Sequence, residues 1–306
     1  MEEKKENFVI IDANSVIHRA FHALPPLKNK KGETVNAVYG FLLVLLKIIK
    51  EFNPKYLAAC FDLGEPTFRK KAYDQYKAKR KKAPQEFYDQ IPKLKEVLKI
   101  FNVPVCEKPG FEGDDLIGTL SFSPHAETKN IIVSGDLDTL QLVDENTNVY
   151  FLNRGVKEAI IYNKNLVQKR YEGLSGEELV DFKALRGDPS DNIPGVKGIG
   201  EKTALQLIKD FKAVENVYKN IQNGKIGEKT RAKLLANKDM AFLSKELSKI
   251  KRDVPIEVSL NKYQWGKYDP RRAKSALEDL DFKSLIKRIP GMAEEERGSG
   301  ENLKLW

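Results

Sequence analysis

The sequence predicts an α/β fold, a central and mostly parallel sheet flanked by helices, followed by a helical subdomain. Three observations carry that prediction. Short unbroken apolar runs alternate with helical apolar stripes, the pattern of strands buried on both faces and joined by crossover helices. Each of three such runs ends at or near an aspartate. From about Lys183 the chain becomes helical in pattern and more basic.

The first strand is Phe8–Val9–Ile10–Ile11, ending at Asp12. A second apolar run, from Tyr56 to Phe61, ends at Asp62, and a third, Ile131–Ile132–Val133, ends near Asp136. Between the first two, Phe41, Leu45, Ile48 and Phe52 form one helical stripe. A further helix follows Pro84, with Ile91, Leu94, Leu98 and Phe101 on its apolar side and Pro92 in its first turn. The α/β core is expected over residues 1–182, with an arch near residues 69–100. The helical subdomain is expected over 183–290. A flexible tail over 291–306 contains Gly298–Ser299–Gly300.

Of the 306 residues, 41% are hydrophobic and 32% charged, a globular composition with a net charge of +9. That balance points to a polyanionic partner such as nucleic acid. Cys60 and Cys106 have no metal-ligand spacing, so neither a disulfide framework nor a zinc site is indicated, which fits a cytoplasmic location. The segment from Met1 to Asn7 is charged and has no apolar stretch, so no signal peptide is expected, and the longest apolar run, Phe41 to Leu46, is too short to cross a bilayer.

The chemistry resides in the carboxylates. Besides Asp12 and Asp62, three acidic clusters stand out: Glu112, Asp114 and Asp115 at an expected helix start, Asp136 and Asp138 after the third strand, and Asp188 and Asp191 in a turn. Singly, each cluster has an ordinary structural reading as a helix N-terminus, a solvated loop or an Asx turn. Jointly, nine carboxylates at the ligand-binding edge of a parallel sheet call for cations. Mg²⁺ takes oxygen ligands, and two such ions can serve phosphodiester hydrolysis. Without those nine carboxylates the chain would carry +18 rather than +9, a basic body around an acidic hole.

Ala37–Val38–Tyr39–Gly40–Phe41, Gly110–Phe111–Glu112–Gly113–Asp114–Asp115 and the run from Gly187 to Ala204 together resemble the structure-specific 5′ nucleases. These include flap endonucleases and the 5′-3′ exonuclease domain of bacterial DNA polymerase I. The resemblance runs from about Phe8 to Pro290 and implies a PIN-like core with a helix–three-turn–helix. It implies a first metal site of Asp12, Asp62, Glu112, Asp114 and Asp115, and a second of Asp136, Asp138, Asp188 and Asp191. Two or more Mg²⁺ or Mn²⁺ ions are implied, with K⁺ at the helix–three-turn–helix. Gly113 stands where Ala is usual in the family, Leu137 where a basic residue is common, and the segment containing Pro124 is short.

Residues 69–82 hold eight basic residues and one acid, Asp74. Arg69, Tyr73, Tyr76 and Arg80 are spaced to share one helical face, suited to phosphates and unpaired bases. The resemblance implies that Lys77 and Arg80 meet the scissile phosphate or the 5′ strand, and that Asp114 is essential to catalysis. Arg19 and His22 are further candidates. Gly195, Lys197, Gly198, Gly200, Lys202 and Thr203 are the expected contacts to duplex backbone.

Asn302–Leu303–Lys304–Leu305–Trp306 is similar to the short peptide that docks bacterial proteins on the sliding clamp, with Leu303, Leu305 and Trp306 as its anchors. No polymerase motif follows Pro290, so a stand-alone, monomeric bacterial nuclease of the nucleoid is expected. Its expected substrate is DNA with a 5′ flap, nick or 5′ end, including an RNA primer on DNA. The alternatives are a PIN-type ribonuclease and a branched-DNA-binding protein without catalysis.

Overall fold

A computed structural model describes residues 5–122, 128–155 and 158–292. Strand β1 (Glu6–Asp12) passes directly into helix α1 (Ala13–Ala23), because Asp12 caps the helix by accepting from Ser15 N at 3.0 Å. Helix α2 (Asn36–Phe52) buries Phe41, Leu45 and Ile48 and ends at Asn53, whose φ of 41° is left-handed. Strand β2 (Tyr56–Cys60) leads to a short helix α3 (Phe68–Ala72), an irregular stretch, and helices α4 (Gln85–Tyr88) and α5 (Gln90–Ile100). Then come β3 (Val105–Cys106), α6 (Gly113–Phe122), β4 (Thr128–Ser134), a 3-10 turn (Leu137–Leu142), β5 (Thr147–Arg154), β6 (Glu158–Tyr162) and α7 (Lys164–Arg170).

The six strands form one sheet in the order β3-β2-β1-β4-β5-β6, parallel throughout except for the antiparallel β5–β6 pair. Both faces are covered. Val9, Ile11, Leu57, Ala59, Ile131 and Val133 pack with α1, α2 and α5, while Phe8, Ile10, Ala58 and Ile132 face the opposite layer. Alternate residues thus enter different cores, which is why the strands read as unbroken apolar runs. The three anticipated strands and both anticipated helices are present. β3, β5 and β6 were not anticipated.

The helical part comprises α8 (Glu178–Arg186), α9 (Glu201–Phe211), α10 (Val214–Lys219), α11 (Glu228–Ala236) and α12 (Lys238–Ser248). Its buried residues, among them Phe182, Leu185, Leu207 and Ile208, join the Phe8–Ile10 side of the sheet in one continuous core. The expected boundary at 183 falls inside α8. The expected extent to 290 also needs correction. After a 3-10 turn (Leu260–Tyr263), Trp265 N donates to Lys55 O at 2.9 Å and Trp265 Nε1 to Phe101 O at 3.0 Å. Helices α13 (Pro270–Asp279) and α14 (Lys283–Ile286) then bury Ala273, Leu277, Phe282 and Leu285 among the α2 and α5 side chains. The chain therefore returns to the α/β core, driven by an apolar stripe that has no partner in the helical part. Asn302 and the expected anchors of the tail, Leu303, Leu305 and Trp306, lie outside the described residues.

Candidate active site

The C-terminal edge of the sheet gathers carboxylates from elements far apart in sequence. Asp12 ends β1, Asp62 lies two residues beyond β2, and Asp136 two beyond β4. Asp114 comes from the first turn of α6. That turn is fixed by Asp62, whose Oδ1 accepts from Gly113 N at 2.5 Å, while Asp62 Oδ2 accepts from Asn14 Nδ2 at 3.1 Å. Among the described residues no lysine or arginine pairs with Asp12, Asp62, Asp114 or Asp136, and no protein donor reaches the Asp114 carboxylate. Burial, then the negative charges of Asp12, Asp136 and Asp62, push the Asp114 carboxyl well above its usual range. Burial likewise raises Asp12 to about 7, against the lowering effect of bonds from Ser134 and Ser15. Asp12, Asp62, Asp114 and Asp136 thus form one pit that is short of positive charge.

The remaining acids are paired with protein cations. Lys183 Nζ bridges Asp138 and, at 2.6 Å, Asp188 Oδ2. Burial raises the Asp138 carboxyl to about 6. Burial acts the same way on Asp188, but Lys183 and Ser190 outweigh it and hold that group at about 2. Glu112 Oε2 accepts from Lys77 Nζ at 3.0 Å and from the Tyr76 hydroxyl at 3.1 Å. Asp191 accepts from Arg80 and lies 3.8 Å from Lys77 Nζ. Among the described residues no group of three or more acidic, histidine or cysteine side chains is arranged so that it could hold a metal ion as it stands. The donor chemistry is nevertheless that of a hard-cation site: every donor is oxygen, Asp12 is buried, Asp114 and Asp136 are half-buried, Asp62 is exposed, and none of these four pairs with a described lysine or arginine.

Asp115 is a correction to the expected ligand set. It is fully buried, and its two oxygens accept from both Arg69 terminal nitrogens (2.8 and 2.7 Å), Glu112 N (3.1 Å) and Lys251 N (2.8 Å). Arg69 is corrected with it. Its Nε and Nη2 also donate to Leu247 O and Lys249 O, so it ties α3 to α6 and α12 from inside the protein.

The expected helical face through Arg69, Tyr73, Tyr76 and Arg80 does not form. α3 stops at Ala72, Tyr73 is extended, and Lys77 is left-handed with φ of 54°. Lys77 N donates to Asp191 O and Asn192 Nδ2 to Gln75 O, docking this stretch on the 188–192 turn. Tyr76 is buried and does not present a stacking surface, Tyr73 is half-buried beside it, and Arg80 is exposed. Arg19 turns inward, donating to Gly135 O at 2.8 Å and Asn153 O at 3.0 Å, whereas His22 is exposed with its ring 4.5 Å from that of His18.

Between α8 and α9 the backbone turns at 189–192, where Asn192 N donates to Pro189 O at 3.4 Å, and at 196–199, where Ile199 N donates to Val196 O at 3.0 Å. Gly187 and Gly195 approach so closely that a Cβ on Gly195 would lie 2.3 Å from Gly187 N. Gly195 N donates to Ser244 Oγ at 2.9 Å, so it cannot cradle a phosphate. Lys197, Gly198, Gly200 and Lys202 are exposed and Thr203 is half-buried. Sequence reasoning missed Lys183 as a partner of the acids, although its place five residues before Asp188 was visible. It also missed Asn14, Ser15 and Ser134, whose only signal was adjacency to Asp12 and Asp136.

The sequence matches the 5′-3′ exonuclease N-terminal resolvase-like domain over residues 7–172 and the 5′-3′ exonuclease C-terminal SAM fold over residues 174–271. The chain belongs to the 5′-3′ exonuclease family. This exonuclease is accordingly a phosphodiester-cleaving hydrolase. It is 41% identical over 293 residues to DNA polymerase I of Bacillus caldotenax, covering 95% of this chain and 33% of that protein. It is 39% identical over 290 residues to DNA polymerase I of Bacillus subtilis, covering 94% and 33%. The chain thus spans about a third of the length of these relatives. Its fold is shared by T5 5′-exonuclease solved with zinc ions, at a TM-score of 0.67 and 19% identity over 93% of this chain and 99% of that one. The catalytic core of Rad2 with DNA substrate matches at a TM-score of 0.60 and 18% identity over 94% and 93%. Among the described residues no helix is long and apolar enough to cross a membrane.

Proposed function

We propose that this exonuclease is a divalent-metal-dependent 5′ nuclease acting on DNA with a 5′ flap, nick or 5′ end, including RNA primers paired to DNA. The observation that carries the reading is the pit of Asp12, Asp62, Asp114 and Asp136, four carboxylates that form no ion pair with a lysine or arginine among the described residues. Bound Mg²⁺ or Mn²⁺ would supply the positive charge that phosphodiester hydrolysis requires. Those four residues would hold one ion, with Glu112 at its edge, and Asp138, Asp188 and Asp191 would hold a second. Lys77 and Arg80 leave Glu112 and Asp191 to meet the phosphate at the point of cleavage. Asp138 and Asp188, now paired with Lys183, would turn to the second ion when it is bound.

Lys197, Lys202 and Thr203 grip the duplex through its phosphates, without base readout, and His22 contacts the 5′ strand. The turns between α8 and α9 are the place for K⁺. The protein works as a monomer in the bacterial cytoplasm, on nucleoid DNA. The peptide from Asn302 to Trp306 holds it to the sliding clamp, so deleting that peptide should abolish clamp binding.

The test is cleavage of a 5′-flap duplex with Mg²⁺ and with EDTA. Cutting near the flap base is expected only with metal, and Asp114→Asn should abolish cutting while DNA binding persists. Cutting in EDTA, or an Asp114→Asn protein as fast as the parent, would overturn the proposal. Faster cutting of single-stranded RNA would favour a ribonuclease.

A further inference from the structure

We infer that Ser134 is the positioning residue of the carboxylate pit, setting the geometry of Asp12 and Asp136 with a single hydroxyl. This inference rests on the reading of the pit as a divalent-cation site. β1 and β4 pair in parallel with Ile11 opposite Val133, so the next residues, Asp12 and Ser134, stand side by side on one face. Ser134 is fully buried. Its Oγ donates to Asp12 Oδ2 at 2.6 Å and accepts from Asp136 N at 2.9 Å.

The two bonds do different work. A carboxylate's terminal torsion is broad, so its plane must be held from outside. Asp12 Oδ1 is held by Ser15 N at 3.0 Å and Oδ2 by Ser134. One donor on each oxygen fixes the plane and leaves the remaining lone pairs facing the pit. The bond from Asp136 N fixes the turn that aims Asp136, whose own Oδ1 accepts from Asp138 N at 2.9 Å. Ser15 Oγ completes the frame by accepting from Gly135 N at 2.8 Å. The Asp12 carboxylate and the Asp136 backbone N–H therefore meet at one hydroxyl, which ties the end of β1 to the turn after β4 before any cation arrives.

The test is Mn²⁺ binding to the full chain without DNA, followed by electron paramagnetic resonance of the free ion. Thermal melting in EDTA serves as the control for folding. Ser134→Ala should weaken Mn²⁺ binding by about 10- to 100-fold. Ser134→Thr, which keeps the hydroxyl, should restore parental affinity. The Mg²⁺ concentration for half-maximal cutting should rise with Ser134→Ala, while DNA affinity in EDTA stays at the parental value. If Ser134→Ala does not fold, Ser134→Cys replaces it, a substitution of similar size with a weak donor. Parental Mn²⁺ affinity in the variant that lacks the hydroxyl overturns the inference. So does equal loss in that variant and in Ser134→Thr, because packing would then be the cause. A parent that binds no Mn²⁺ would instead sink the metal reading itself.

Discussion

Two neighbouring aspartates at the start of α6 have opposite surroundings. Asp114 has no donor among the described residues and faces like charges, whereas Asp115 sits in a closed ion pair with Arg69. Consecutive residues on a helix point about a quarter-turn apart, so one can serve the pit while its neighbour serves the interior. Nothing in the local sequence separates their roles, because the partner that claims Asp115 lies 46 residues away. Breaking a buried ion pair leaves one charge uncompensated, at a cost of about 3–5 kcal/mol. Arg69→Ala should therefore lower stability by roughly that amount in metal-free protein, as read by urea unfolding. Asp114→Asn, which removes one of several repelling charges, should leave stability unchanged or raised. Equal destabilisation by the two changes would refute the distinction.

Among the elements, strands buried on both faces were the most legible, since β1, β2 and β4 each carry several fully buried apolar residues in succession. β3 is two residues long, too short to leave a periodic signal. β6 keeps Ile160 and Ile161 exposed, so its pattern does not announce a buried face. The stretch after α3 misled for another reason. Its aromatic and basic residues have helical spacing, yet contacts with Glu112 and Asp191 decide its shape, and these are 36 and 115 residues from Tyr76. Tertiary bonds outweigh a weak local preference here. The docked stretch places Lys77 3.0 Å from Glu112, at the rim of the pit. A cation aimed at charge that develops during cleavage acts on rate more than on binding. Lys77→Ala should slow single-turnover cleavage by roughly 10²–10³-fold with little change in DNA affinity. A matching loss of affinity would assign Lys77 to binding alone.

At the scale of the molecule, one sheet separates two cores, and the pit opens where its strands end. The face bearing Phe8 and Ile10 is sealed by the helical part, and the face bearing Val9 and Ile11 is covered by α1, α2 and α5, with α13 and α14 packed among the α2 and α5 side chains. This arrangement holds the strand-end aspartates on a rigid scaffold, which a site of repelling charges requires. The pit stands in a chain of net charge +9, a balance that draws polyanions toward the surface around it. The central claim is that Asp12, Asp62, Asp114 and Asp136 converge to hold a divalent ion. Anomalous diffraction from crystals grown with Mn²⁺ tests it most directly. The account predicts a manganese peak among those four carboxylates. Manganese bound elsewhere, with that pit empty at saturating metal, would contradict it.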